Sequence, residues 1–302
     1  MTEAASIAPS DHLALLLAVL PLSRRTRIVD VGANPLLDEA PYAQLLRMGA
    51  CDVVGFEPQP QAYAALEELK SDRETYWPFA VGDGTPKELK VYKSQGYTSV
   101  FSPYRAGFRF IGGEGWAQVR QTIPFDTVAL DSAKEIGAVD LLKIDIQGGE
   151  YDVFRGAETT LKQAMVVIVE LRYYPLYDGE PMLGGVDTEL RRQGYFLHKL
   201  MNTNRKPIKN SQMSRIRMRH LKEQMIDGDG VYLRDLAQIE QYTDDQLMHL
   251  CITASTVFVS HTLVLHALDE LVLRGRVPAD LPAAYVDAMP TSFRRGGADE
   301  AE

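Results

Sequence analysis

Residues 28–34 read I-V-D-V-G-A-N, and the architecture of the chain turns on that stretch. A short apolar run ends in an acid and a glycine follows. Asn34-Pro35 then has the form of a helix start, an N-cap side chain before a proline whose missing N–H is no loss. The reading is a strand feeding a tight turn and a helix N-terminus. In a parallel α/β sheet such a turn lies outside the carboxyl end of the strand, where ligands bind. Gly32 would bring the backbone close to a ligand, with no Cβ in the way.

Working outward, residues 53–58 (V-V-G-F-E-P) form a second apolar strand ending in an acid, Glu57, 27 residues after Asp30. An acid at that place in a doubly wound fold grips ribose hydroxyls. The turn G-A-N-P-L-L has only the first glycine of the dinucleotide pattern G-x-G-x-x-G. Asp30 would stand close to a pyrophosphate, and a carboxylate there disfavours phosphate and favours a cationic or uncharged ligand. This tilts the reading from a nicotinamide dinucleotide to S-adenosylmethionine, whose amino group and sulfonium are positive.

The rest of the chain alternates strand and helix patterns. Helices are predicted over 12–20, 41–48, 59–70, 150–161 and 186–192. Strands are predicted over 52–56, 76–81, 140–146 and 165–171, with an added strand over 89–92 and a closing pair over 195–201 and 230–236. Such alternation predicts an α/β fold with a mostly parallel sheet and one antiparallel strand. Residues 1–25 read as an N-terminal helical segment, frayed over 1–10, and 26–236 as the principal domain. Residues 237–302 read as a C-terminal helical extension with a disordered tail from Arg294 onward. Within the extension, 244–274 is one long helical pattern, apolar on more than one face, which places it in a core or at an interface with a second copy.

Composition narrows the function classes. The chain has 302 residues, 45% hydrophobic and 24% charged, as in an ordinary globular protein. A net charge of −9 argues against general nucleic-acid affinity. Cys51 and Cys251 have no metal-ligand spacing and suit a reducing cytoplasm. The early apolar run 13–22 contains a proline, is too short to span a membrane, and is preceded by acids where a signal peptide has basic residues.

Two stretches stand apart. Residues 94–119 interleave glycines with aromatics, among them Tyr97, Tyr104 and Trp116, with Ser99 between. They would either stack on a sugar or base or form a hydrophobic flap over the sheet edge. Residues 205–222 hold Arg205, Lys206, Lys209, Arg215, Arg217, Arg219 and Lys222 and no acid. They read as a solvated face or as an electrostatic grip on a phosphate-bearing or acidic ligand.

Taken in order, D-V-G-A-N (30–34), G-F-E-P-Q-P (55–60), A-V-G-D (80–83), T-V-A-L-D (127–131), L-L-K-I-D-I-Q-G-G-E (141–150) and V-E-L-R-Y-Y-P-L-Y-D-G-E-P (169–181) resemble the FkbM family of S-adenosylmethionine-dependent methyltransferases. The family usually has glycine where this chain has Leu36, and often an acid where it has Gln147. The resemblance implies a seven-stranded Rossmann-like methyltransferase sheet and O-methylation of a sugar hydroxyl in a glycan, glycolipid or glycosylated metabolite. It implies that Asp30, Gly32, Ala33 and Asn34 lie by the methionine part of the cofactor. Glu57 and Pro58 would lie by the ribose, Ala80, Val81 and Asp83 by the adenine, and Asp145 between cofactor and substrate.

A sugar hydroxyl is a poor nucleophile, so a base at hydrogen-bond distance helps as its proton leaves. Asp145 and Glu170, at the ends of neighbouring strands, are the candidates. Lys143 shares a strand face with Asp145 and either tunes a nearby group or forms a buried ion pair. Substrate contacts would come from Tyr97, Ser99, Tyr104, Trp116, Arg215 and Arg217. A divalent ion on Asp145, Glu170 and His198 is not favoured, because no dense carboxylate loop is present. A scaffold protein that kept the fold and lost catalysis is the reading from another class.

Overall fold

The computed structural model describes residues 11–35 and 39–295. The readings above for residues 1–10, for Leu36 and for the tail beyond 295 lie outside the described residues. The strands in chain order are β1 (Thr26–Val31), β2 (Cys51–Phe56), β3 (Glu74–Trp77), β4 (Ala80–Val81), β5 (Lys87–Tyr92), β6 (Val119–Phe125), β7 (Thr127–Val128), β8 (Leu141–Ile144), β9 (Val166–Arg172), β10 (Tyr195–Lys206) and β11 (Gln224–Arg234). The helices are α1 (Asp11–Val19), α2 (Ala43–Arg47), α3 (Pro60–Leu69), α4 (Arg105–Phe110), α5 (Glu150–Arg155), α6 (Glu158–Leu161), α7 (Leu183–Arg192), α8 (Asp244–Thr256), α9 (His261–Leu273) and α10 (Leu281–Ala288).

Seven strands form one sheet in the order β10-β11-β9-β8-β1-β2-β3. Only β11 runs against its neighbours. This is the α/β sheet, mostly parallel with one antiparallel strand, that the alternation predicts. The central strands β8 and β9 are buried on both faces, which explains their near-continuous apolar sequence. Val29, Val31, Leu142, Ile144, Val167, Val169 and Leu171 face one core. By two-residue alternation Asp30, Lys143, Glu170 and Arg172 face the other side.

The chain divides into two compact units. One comprises Ile28–Leu37 and Val53–Asp235 and contains nearly all of the sheet; the other comprises Met1–Arg27, Asp38–Asp52 and Leu236–Glu302. In the second unit α8 packs on α1 and α9. The predicted helix over 244–274 is two helices, parted at Val257–Ser260, where Val259 takes φ +41°. Leu247, Leu250, Ile252, Leu268 and Leu271 are buried, while Leu273 is exposed. The buried His249 ring bonds the Thr26 hydroxyl at 3.0 Å, and His261 bonds Tyr285 at 2.8 Å. Neither histidine belongs to the unit that carries the site.

Other expectations are corrected. Asn34 and Pro35 are not themselves helical, residues 36–38 lie outside the described residues, and the next described helix is α2. The amides of Gly32 and Ala33 both donate to Phe56 O (3.0 and 3.2 Å), which pins the turn to the end of β2. The predicted strand over 76–81 is β3 and β4, broken at Pro78, which has no N–H for the ladder. The predicted helix over 150–161 is α5 and α6, broken at Gly156, where a Cβ would stand 2.3 Å from Gly82 O.

Candidate active site

The site is built along the carboxyl edge of the sheet, on the face opposite the larger core. The register sets its rows. Asp30 pairs with Lys143 across β1 and β8, and Glu170 pairs with Asp229 across β9 and β11. Asp145 follows β8, and its amide donates to Val31 O at 3.1 Å. Gly32 takes φ +83°, and a Cβ there would lie 2.1 Å from Asp145 O. Only glycine lets the two strand ends approach this closely.

Lys143 forms a buried ion pair with Asp30 at 3.0 Å and also donates to Gly32 O at 3.3 Å. Burial works against its ammonium, but Asp30, Asp145 and Asp229 outweigh burial and hold its pKa above the ordinary value. Asp30 is therefore already compensated, and the negative field at this edge comes from the acids beyond it. Glu57 is 2% exposed. Its Oε1 accepts from Gln59 N at 2.8 Å, and among the described residues Oε2 has no hydrogen-bond partner. Burial, reinforced by Asp30, raises the Glu57 pKa against the Gln59 bond and Lys143.

Gln147 is the hub. It takes φ +61°, uncommon for a side chain of its size. Its Nε2 donates to Asp145 Oδ1 (3.0 Å) and to both oxygens of Glu170 (3.0 and 2.9 Å). Its Oε1 accepts from Arg172 at 3.2 Å. Arg172, 4% exposed, pairs in turn with Glu170 (3.5 Å), Glu180 (3.3 Å) and Asp227 (2.6 Å). Burial, with the Asp145 charge next, pushes the Glu170 pKa well above the carboxylate range. Burial and Asp145 push Asp229 up to about 6.

Glu150, at the head of α5, holds the turn from below: Oε1 accepts from Ile146 N and Gly148 N, both at 3.0 Å. Burial pushes its carboxyl from 4.5 up to about 7, against three backbone N–H bonds. The folded state therefore keeps a proton that the unfolded chain releases. The associated stability is full below pH ~4.5 and is lost as pH rises through ~7. Glu150→Gln keeps the acceptor and removes the charge. It is expected to flatten this slope by roughly 2–3 kcal/mol between pH 5 and 8, measured by urea unfolding. A slope equal to that of the unmodified chain would refute the assignment.

The remaining sequence candidates divide. Ala33 lies in the pinned turn beside Gly32, followed by Asn34, and Pro58 is exposed beyond β2. Ala80 and Val81 form β4, paired with β7. Asp83 accepts from Thr85 and pairs with Lys87, which also binds Asp152 at 2.7 Å. Most of the aromatic segment builds a second core around Tyr92, Phe108, Leu176 and Tyr177. Tyr97 and Trp116 stack at 5.6 Å, while Tyr104 is exposed. Ser99 is buried, donating to Gln147 O at 2.6 Å and accepting from Phe101 N at 3.1 Å. Arg215 and Arg217 are exposed in the β10–β11 connection. The ligand atoms of Asp145, Glu170 and His198 do not converge as a set to within 4.8 Å of one another.

Gln147, Arg172, Glu180, Asp227 and Asp229 do not stand out as site residues in sequence reasoning. The available signals were the alternating acids of D-G-D at 227–229 and the arginine ending V-E-L-R.

The description "Methyltransferase FkbM domain" matches residues 30–197, which carry Gly32, Glu57, Asp145, Glu170 and Arg172. The chain belongs to the FkbM methyltransferase family. A relative from Sinorhizobium fredii, the 2-O-methyltransferase NoeI, is 26% identical over 171 residues, covering 51% of this chain and 66% of that one. The match thus spans just under two thirds of that relative. Among solved structures, an S-adenosylmethionine-dependent methyltransferase from Mesorhizobium loti is 12% identical, with a TM-score of 0.36 over 75% of this chain and 99% of that one. A precorrin-6y C5,15-methyltransferase from Geobacter metallireducens is 10% identical, with a TM-score of 0.33 over 78% and 94%. Among the described residues no helix is long and apolar enough to cross a membrane.

Proposed function

We propose that the chain is an S-adenosylmethionine-dependent O-methyltransferase acting on a sugar hydroxyl of a glycan, glycolipid or glycosylated metabolite. The observation that carries the cofactor half is Glu57. A carboxylate this buried, with one oxygen left over at the end of the second strand, suits the paired hydroxyls of a ribose. The sugar half rests on family membership and on the 2-O-methyltransferase named above.

When bound, the cofactor supplies an electrophilic methyl group on a cationic sulfonium. The Gly32 turn admits the methionine end, and Glu57 fixes the ribose. Asp145 keeps Oδ2 without a partner among the described residues while Oδ1 is held by Gln147, so one lobe is steadied and the other is available to an acceptor hydroxyl. Glu170, bound on both oxygens by Gln147, orients rather than accepts the proton. Lys143 compensates Asp30 and moderates the field around Asp145. Positioning supplies much of the rate in such an in-line displacement. Tyr97, Tyr104 and Trp116 would offer aromatic surface to the acceptor, and Ser99 holds the Gln147 turn.

Calorimetric titration with S-adenosylmethionine, its demethylated product and NAD tests the reading. The first two are expected to bind. Glu57→Ala is expected to weaken both about tenfold or more, the worth of a charged hydrogen-bonding group. Binding of NAD in their place would point to an oxidoreductase. Cofactor binding with no transfer to any sugar acceptor would overturn the sugar half of the reading, and no transfer to any acceptor would leave a scaffold protein.

A further inference from the structure

The end of β10 and the connection to β11 meet the aromatic segment through Lys206 and Lys209 and carry further cations beyond them. We infer that this connection docks the protein on an anionic lipid bilayer; the inference stands apart from the catalytic reading. The chain carries −9 overall, yet the seven Lys and Arg of residues 205–222 have no acid among them. Lys209 pairs with Glu114 at 2.7 Å, and Lys206 lies 5.6 Å over the Trp116 ring. Among the described residues Arg215, Arg217, Arg219 and Lys222 have no acidic partner. Between these cations stand exposed apolar side chains: Ile208 (37%), Ile216 (36%), Met218 (39%) and Leu221 (39%). Lys209 N donates to Phe110 O at 2.8 Å, and the Phe110 side chain is itself exposed.

Four exposed apolar residues in one short connection are unfavourable in water, and a solvated face needs none of them. A bilayer interface uses both kinds of side chain: guanidinium groups meet lipid phosphates, and the Ile and Met side chains enter the headgroup boundary. A nucleic acid would call for aromatic stacking platforms among the cations, and between Arg215 and Lys222 the exposed apolar side chains are Ile216, Met218 and Leu221, with no Phe, Tyr or Trp. The placement also fits. β10 runs parallel to β9, so its end at Lys206 lies at the same sheet edge as Glu170. A protein docked by this connection would present its catalytic edge to the lipid surface.

The test is co-sedimentation of the full chain with phosphatidylcholine vesicles and with vesicles that also carry phosphatidylglycerol. Binding is expected only to the second, and to weaken with salt. Arg215→Ser/Arg217→Ser/Arg219→Ser is expected to lower partitioning about a hundredfold. Ile216→Ser/Met218→Ser, which keeps every charge, is expected to lower it about tenfold or more. Far-UV circular dichroism and the unfolding midpoint check that both variants fold. No binding to anionic vesicles overturns the inference. So does full binding by the Ile216/Met218 variant, which would mark a general polyanion site for nucleic acid or an acidic protein.

Discussion

Asp145→Asn is expected to lower kcat for methyl transfer by about 10²–10⁴, the usual worth of a positioned general base, while cofactor affinity changes only a few-fold. The main chain at this position is tied by Asp145 N to Val31 O and does not depend on the side chain. Asparagine can still accept from Gln147 Nε2 through Oδ1, so the turn keeps its form. What is lost is the charge on Oδ2, the oxygen proposed to meet the acceptor hydroxyl. Glu170→Gln should cost less, because both oxygens of that side chain are already bound by Gln147 Nε2 and neither is left over for the acceptor. The pair is measured with the same acceptor by following the demethylated cofactor. Equal losses in both variants would give the proton-accepting role to the cluster rather than to Asp145. An unchanged kcat in Asp145→Asn would remove the residue from the mechanism.

Arg172→Leu is expected to destabilise the fold by about 3–5 kcal/mol, because removing one partner of a buried ion pair leaves its counter-charges uncompensated. Here three carboxylates depend on one guanidinium, and Glu180 is itself buried, its Oε1 accepting from Leu176 N and Tyr177 N. Arg172→Lys keeps the charge but cannot reach Glu170, Glu180, Asp227 and Gln147 together, so it should recover only part of the loss. Urea unfolding at neutral pH reads the effect. A change below ~1 kcal/mol would mean that water already carries these charges.

The several partners of Arg172 show why the sequence stops short of the site. V-E-L-R-Y-Y reads as a strand end because runs of apolar residues bounded by polar ones are a local signal. That Arg172 joins β9 to Asp227, to Glu180 and to the Gln147 turn depends on register between segments distant in the chain, which no local pattern encodes. Gln147 is the sharper case. As a letter it is a departure from an acid that is common in the family; in the fold it is the amide that separates two carboxylates otherwise left to repel. The aromatic segment 94–119 followed the same rule in the opposite direction. Its composition suggested a ligand surface as readily as a flap, and packing spent most of its rings on a second core.

Sequence alone determined the alternation of strands and helices, the seven-stranded sheet with its single antiparallel strand, the glycine turn after β1 and the acids at the strand ends. Each of these is written in short-range periodicity, in residue conformational preference or in the order of family motifs. Tertiary structure alone decided that the turn after β1 is pinned to the end of β2, where the Gly32 and Ala33 amides both donate to Phe56 O. It alone decided that Lys143 is committed to Asp30, and that Asp145, Gln147, Glu170 and Arg172 form one bonded array. Charges and amides choose partners by distance and burial, and both are set only when the strands take their places side by side.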